Sequence, residues 1–415
     1  MTEKIENRIA QIQRGEVPSG YIKIKDGVYP SDWTIKMMKQ WISLKERPVV
    51  LLDDNDYELV TVRRAYGGVD SRGSYKGKNV LVKTYFSVKE DDFIISKRQI
   101  AHGACGLVPA KLHGAVVSNE YNVFVANEGT NIHFFNLMMQ LPHYKRLFYL
   151  MSDGVHIEKL LFKTSDWMKR SLAMPSLAEQ MKIAEILSTQ DKLIALKEKL
   201  IEEKKRQKKY LMQQLLTGKM RLPGFFSRWD VCKLAEILSE GSKVGVEDTS
   251  HYRKMTVKLA FKGLELVKHD REMADTRPFY IRNKNEIIIG KQNYFNGSVA
   301  LVTDEFAGCI CSNAIMSFFC KNANVKYVLE YISQTDFMKK HEMLANGTGQ
   351  KELSEKDFLN FKIRIPNIEE QNKIAKVLSI ADNEINLLQK DLYQEKQKKK
   401  SLMQLLLSGI VRVNI

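Results

Sequence analysis

Two polar triplets have the side chains to read nucleic acid: Lys97-Arg98-Gln99 ahead of Gly103, and Lys291-Gln292-Asn293 ahead of Gly297. Arginine can chelate O6 and N7 of guanine, glutamine and asparagine can chelate N6 and N7 of adenine, and lysine can hold a phosphate. Each triplet follows an apolar run and enters a glycine-containing loop, so the frame is shared while the side chains differ. That is what two related elements reading two different sequences would show. Asn and Gln also satisfy loop backbone in many proteins, and the sequence leaves both roles open. Asn296 belongs to the second set. Basic residues with the reach for phosphate surround them: Arg63, Arg64, Arg72, Lys76 and Lys78 in the first half, and Lys258, Lys262, Lys268 and Arg271 in the second. Tyr75, Tyr294 and Phe295 have rings for packing against bases or for packing in a core.

Chemistry of other kinds is missing. The chain has no P-loop, no GxGxxG after a strand and no HExxH. It also lacks the Asn-Pro-Pro-aromatic and Asp-Pro-Pro-Tyr tetrapeptides of amino-methyltransferases. His102 and His113 flank a glycine-rich turn but have no histidine counterparts in the second half. Glu202 and Glu203, beside Lys204, lie in the middle of a helical run and suit a solvated face better than a nuclease site. Five cysteines (Cys105, Cys232, Cys309, Cys311, Cys320) form no CxxC pair, which argues against a zinc site and a disulfide framework. Cys309 and Cys311 are expected on one face of a strand as buried thiols. The chain is therefore expected to catalyse nothing and to hold no metal.

The bulk numbers agree with a polyanionic partner: 65 Lys and Arg against 49 Asp and Glu leave a net charge of +16. Solubility charge on long helices is the competing explanation. The opening MTEKIENRIAQIQRGEV lacks the apolar core of a signal peptide, and no run approaches the roughly 18 to 20 apolar residues of a membrane span. A cytoplasmic protein without membrane contact is the expectation.

The elements that must position the triplets are written twice. Pro175, Glu179, Gln180, Ile183, Ala184, Leu187, Ser188 and Asp191 return 191 positions later as Pro366, Glu370, Gln371, Ile374, Ala375, Leu378, Ser379 and Asp382. The match runs without a gap to Gly218 and Gly409. Ser176 with Glu179, and Asn367 with Glu370, read as an N-cap with its capping-box partner, and the two glycines stand where a left-handed C-terminal cap belongs. Two helices of about 40 residues, roughly 60 Å long at 1.5 Å per residue, are predicted. Their apolar stripes pass through Ile183, Leu187, Ile194, Ile201, Leu211 and Leu215, and through Ile374, Leu378, Ile385, Leu388, Leu392, Leu402 and Leu406, which suits a coiled-coil seam. The stripes fade at 204–209 and 395–400, where a basic face is either solvated or set against nucleic acid.

The repeat extends backwards with small changes of offset. Trp33 pairs with Trp229, Thr61 with Thr256, and DDFIISKRQIAHGACGLV with NEIIIGKQNYFNGSVALV. Short β-branched runs broken by Gly, Asn and Asp read as strands of an α+β domain. The expected architecture is α+β with an internal pseudo-twofold repeat: a segment 1–29, a globular unit 30–174, a helical region 175–222, a second globular unit 223–365 and a second helical region 366–415. The two helices are expected to pack as an antiparallel coiled coil.

In AMPSLAEQMKIAEIL and RIPNIEEQNKIAKVL, in the helix ends LLTGKMR and LLSGIVR, in FIISKRQ and in ANGTGQKELS, the chain resembles the specificity subunits of Type I restriction-modification systems. The resemblance implies a non-catalytic reader of double-stranded DNA whose two target recognition domains each bind half of a bipartite site. It implies that the helices set the spacer between the half-sites and dock two methyltransferase subunits, with the stripe residues serving both pairing and docking. It implies no cofactor on this chain, S-adenosylmethionine, ATP and magnesium on partner subunits, and restriction subunits as further partners. It also brings in the GTGQK loop, with Thr348, Gln350 and Lys351 as DNA contacts of the second unit only, because SDGVHIEKL stands in the first. A coiled-coil scaffold that binds only proteins is the alternative. A self-contained endonuclease is disfavoured by the missing catalytic constellation.

Overall fold

A computed structural model describes residues 2–24, 27–80, 84–154, 160–267, 277–342 and 352–415. The chain divides into two compact units: Met1–Leu196 together with Leu392–Ile415, and Lys197–Asp391. Each unit is therefore built from the globular half nearest to it, the first part of one long helix and the last part of the other.

The first unit holds a four-stranded antiparallel sheet in the order Cys105–Leu107, Phe93–Ser96, Tyr121–Ala126, Ile42–Leu44. A five-stranded mixed sheet runs Pro48–Val49, Tyr85–Ser87, Val116–Ser118, Asp56–Val62, Val69–Lys76. The second unit repeats the four-stranded sheet as Leu238–Glu240, Ile315–Cys320, Ile287–Gly290, Val299–Leu301. Its other sheet is smaller, with Gly245–Val246, Phe279–Ile281 and Ile310–Ser312. A short hairpin, Met255–Val257 with Leu264–Leu266, joins that sheet through a parallel bridge from Lys254 to Ile310. The bridge falls at the repeat positions of Leu59 and Val116, which pair in parallel in the first unit.

Alternation explains why FII and III are continuous apolar runs rather than alternating ones. Phe93 and Ile95 face a core built around Trp167, Phe124, Phe135 and Phe148, whereas Ile94 faces a second core with Val60, Val62 and Val117. Ile287 and Ile289 likewise face Tyr294, Phe318 and Phe358, while Ile288 faces Met255, Cys309 and Cys311. Both strands are buried on both faces, and the two cysteines are core residues, as expected.

The long helices are Leu177–Leu215 and Ile368–Leu407, 39 and 40 residues. Gly218 and Gly409 adopt φ of +71° and +69°, and the N–H groups of Met220 and Val411 donate back to the carbonyls of Gln214 and Leu405. A Cβ on Gly409 would lie 2.5 Å from the Pro30 ring and 2.9 Å from the Trp33 ring, so the position needs glycine twice over. Within the first unit the helices run antiparallel, with Gln190 donating to Glu395 (2.7 Å) and Lys399 pairing with Asp191 (2.6 Å). Within the second, Lys204 pairs with Glu384 (2.6 Å) and Lys208 with Asp382 (2.7 Å). Part of each basic run thus holds the helix pair together.

Two sequence expectations are corrected here. Ser176 and Asn367 do accept the N–H groups of Glu179 and Glu370, but the two glutamates do not close a capping box. Glu179 instead takes a bidentate pair from Arg412, at 2.6 and 2.6 Å, and Glu370 takes one from Arg221, at 2.7 and 2.8 Å. The following glutamines fasten each long helix to a short one. Gln180 accepts from the N–H of Asn131 and donates to the carbonyls of Pro175 and Gly129, while Gln371 accepts from Asn324 and donates to Pro366. Asn131 and Asn324 are the N-caps of Ile132–Met138 and Val325–Ile332.

The second correction concerns the stripes. Ile183, Leu187 and Leu406 are buried in the first unit's core, with Leu402 packed against it, and Leu215, Ile374 and Leu378 are buried in the second's, with Leu211 against it. Ile194, Ile201 and Ile385 are buried outside these clusters, and Leu392 is half-buried. The buried members are therefore spent on the chain's own packing and present no face to a partner.

Candidate nucleic-acid interface

Each triplet occupies the same turn. Strand Phe93–Ser96 ends in 97–99, passes through the 3-10 turn Ile100–His102 and reverses at Gly103, φ +76°. Ile287–Gly290, 291–293, Tyr294–Asn296 and Gly297, also φ +76°, repeat it. Arg98 and Gln292 are exposed at the same corner, and Lys97 and Lys291 are half-buried. The third position differs from expectation. The Oε1 of Gln99 is buried without a hydrogen bond, so this amide does not present its acceptor to solvent, whereas Asn293 accepts from Asn296 (3.2 Å) on an open surface. Tyr294 is a core residue whose hydroxyl donates to the carbonyl of Ile332, and Phe295 packs edge-on against it; Tyr75 remains exposed.

A second loop lies against each turn and was not singled out by sequence. Ala65 and Tyr66 have φ of 55° and 57°, and Ala260 and Phe261 have φ of 57° and 58°. Left-handed backbone without glycine costs about 1–3 kcal/mol per residue and persists where the surroundings enforce it. Here they do: Ala65 and Tyr66 donate to the carbonyls of His102 and Gly103, and Ala260 and Phe261 to those of Asn296 and Gly297. A Cβ on Gly103 or Gly297 would meet the ring of Tyr66 or Phe261 at 3.1 Å. The shared AYGG and AFKG lettering was the available signal, but neither alanine nor an aromatic suggests a positive φ.

The basic residues do not form one patch. Arg63 and Arg64 sit at the hairpin end that touches the turn of the triplet, while Lys76 and Lys78 sit at the other end, roughly 20 Å away at ~3.4 Å per residue; Arg72 lies between, on the strand Val69–Lys76. Several already have acidic partners. Arg63, the Ser71 N–H and Lys111 hold the Asp70 carboxyl down to about 2; Lys76 pairs with Asp56, Lys78 with Asp54, Arg98 with Glu120 (2.7 Å) and Lys258 with Glu265 (2.9 Å). These pairs are exposed, where an ion pair is worth little, so each can exchange its carboxylate for a phosphate. Lys262 is exposed beside Phe261. Lys268, Arg271, Thr348, Gln350 and Lys351 lie outside the described residues.

Over residues 30–206 and again over 229–395 the sequence matches the Type I restriction modification DNA specificity domain. The chain belongs to that family. Each copy of the specificity domain thus contains one such turn and the start of one long helix. The Type I restriction enzyme MjaVIII specificity subunit of Methanocaldococcus jannaschii is 27% identical over 62% of this chain and 65% of its own length. The putative type I restriction enzyme MjaX specificity subunit of the same organism is 28% identical over 58% and 59%. The matches therefore span about three fifths to two thirds of those relatives. The Type-I restriction-modification system S subunit from M. genitalium shares the fold, with a TM-score of 0.54 at 16% identity, over 92% of this chain and 96% of that one. Among the described residues of this specificity-domain repeat no cluster of His, Cys, Asp and Glu could hold a metal ion, and no helix is long and apolar enough to cross a membrane.

Lys97 and Arg98, adjacent in the turn, have separable consequences. If Arg98 reads a base, Arg98→Ala will relax one position of the site, at a cost of about 1–3 kcal/mol in discrimination. Glu120→Ala, which removes only its exposed partner, leaves specificity intact. Lys97→Ala weakens binding to every sequence and lowers the salt slope by about one. Binding titrations at several salt concentrations against single-base variants of the site separate the three.

Proposed function

We propose that this chain is the non-catalytic DNA-reading subunit of a Type I restriction-modification complex, each globular unit (30–174 and 223–365) reading one half of a bipartite site. The observation that carries this is the duplicated turn: one backbone path, enforced in both units by the same hydrogen bonds, offering Arg98 in one and Gln292 in the other. A protein-only scaffold has no use for matched turns with unmatched polar tips. Two methyltransferase subunits dock on the helical regions, and restriction subunits join them. S-adenosylmethionine, ATP and magnesium belong to those partners, and this chain binds none. Its place is the compartment that holds the DNA, the cytoplasm.

Docking falls to apolar residues that the structure leaves exposed rather than to the buried stripe. In the first unit these are Leu193, Leu196 and Tyr393, and in the second Leu200, Ile380 and Leu387. Leu196 and Leu387 are repeat counterparts and are each 65% exposed.

The test is expression with a cognate methyltransferase followed by strand-resolved methylation sequencing. The expected result is adenine methylation in a two-part motif, absent when either subunit is omitted. Methyl transfer by this chain alone, or an unchanged methylation pattern without it, would refute the reading.

The helices are also proposed to fix the spacer. Four residues inserted after Leu200 and again after Asp391 add roughly 6 Å of helix, on the order of two steps at ~3.4 Å per base pair. The preferred spacer is expected to lengthen by one or two base pairs with both half-sites unchanged. An unchanged spacer at full activity would leave the helices with docking alone.

A further inference from the structure

Beside the second reading turn lies a recess of about 300 Å³, at the lower end of the volumes that small-molecule sites occupy. Its depth and its mouth differ in chemistry. Met255, Val257, Phe279, Ser298 and Ser312 are buried and form the inner surface. Lys254, Arg277, Lys291, Gln292 and Asn293 line it nearer solvent. The ammonium of Lys254 rests 4.9 Å from the centre of the Phe279 ring.

Grooves of duplex DNA are read by convex side chains, and a recess in the protein must instead receive something that projects from the DNA. Only a backbone phosphate or a base turned out of the stack does so. A phosphate accounts for the cations at the mouth but leaves the Phe279 ring in the lining without a role. A base accounts for the inner surface: an aromatic ring to stack on, with amides and hydroxyls for its edge.

The first unit departs from this arrangement at one telling position. The repeat counterpart of Ala314, which lines the recess, is Glu120, and its carboxylate draws Arg98 across the corresponding corner at 2.7 Å. The two turns share a backbone, yet one presents a paired arginine and the other an opening.

We propose that the recess of the second unit takes up one nucleotide of the bound DNA, turned out of the helix, with its base inside against Phe279 and its phosphate at Lys254, Arg277 and Lys291. Entry of the base exchanges the Lys254 cation–π contact for stacking and frees that charge for the phosphate. This rests on the DNA-reading function above. Extrusion costs a few kcal/mol of unstacking and unpairing, so the unit discriminates at that position through the ease of opening as well as through contacts.

The test uses the chain assembled with its methyltransferase partners on its own site, with 2-aminopurine placed singly at each position in and around the second half-site. Besides the adenine that is methylated, one position is expected to show a severalfold rise in fluorescence on binding. Ala314→Gln, which narrows the recess without changing charge, should remove that rise while the thermal unfolding of the chain is unchanged. Val231→Ala, at an exposed position of the same unit outside the recess, is the control and should retain the rise. No such position in DNA that is bound and methylated at its proper site overturns the proposal and leaves the DNA-reading function standing. A rise that survives Ala314→Gln also overturns it, as does stabilisation of the chain by free deoxynucleoside monophosphates with no opened position in bound DNA. Failure to bind or direct methylation of any DNA would instead remove the function on which the proposal rests.

Discussion

Exchanging residues 33–166 for the matching segment of a relative is expected to change one half of the recognised site completely and leave the other half and the spacer as they were. The segment carries the first reading turn, the strained Ala65-Tyr66 loop bonded to it and the hairpin with Arg63, Arg64, Arg72 and Lys76. Most of what holds the turn in place travels with it: Phe93 and Ile95 pack on Phe124 and Phe135, and Ala65 and Tyr66 bond to 102 and 103. Two things stay behind: Trp167, which packs against Phe124 and Phe135, and Gln180, whose contacts to the segment are made to backbone at Asn131 and Gly129 and tolerate a change of side chains. Methylation sequencing of the chimaera with its partner checks the result. Simultaneous change of both half-sites would mean that the units do not read separately.

The second large effect is on stability. Glu370 is 1% exposed and accepts from Arg221 at 2.7 and 2.8 Å and from the Trp229 indole at 3.1 Å. Removing one partner of such a pair strands the other, a loss of about 3–5 kcal/mol for fully buried pairs. Arg221 keeps partial access to water, so Glu370→Ala should cost about 3 kcal/mol, the lower end of that range. Glu370→Gln, which can still accept from Trp229, should cost less. Glu179→Ala is the counterpart, with a smaller loss because Arg412 keeps its pair with Asp32 at 2.9 Å. Calorimetry should show each alanine variant lowering the unfolding of its own unit, Glu370 the second and Glu179 the first. Equal effects of both variants on one shared transition would show that the units unfold together.

These two glutamates also mark where sequence reading stops. The helices were legible because their repeat runs without a gap for more than forty positions and ends on a glycine both times. The sheets were legible because FII and III are too apolar to face water. Glu179 and Glu370 were misread because a capping box is a local pattern, four residues long, whereas their true partners, Arg412 and Arg221, are reached only once the far end of the other helix has folded back. Local spacing cannot weigh that competitor. The ends of the stripe were assigned too narrowly for a related reason: periodicity says that Ile183 and Leu187 are covered but not by what, and the globular core claims them. The left-handed pairs at Ala65-Tyr66 and Ala260-Phe261 are set by hydrogen bonds to a loop about forty residues on, and no residue type there announces them.

Because each compact unit takes its closing helical segment from the other half of the chain, the order in which the polypeptide is made and the order in which its units are finished do not coincide. The second unit, Lys197–Asp391, is a single uninterrupted stretch and has all its parts once residue 391 has been added. The first unit waits for Leu392–Ile415, which brings Leu406, Leu407 and Arg412 to a core begun at Tyr29 and Trp33. A premature stop just before Leu392 is therefore an injury to the amino-terminal unit, far from it in the gene, and spares the carboxy-terminal one.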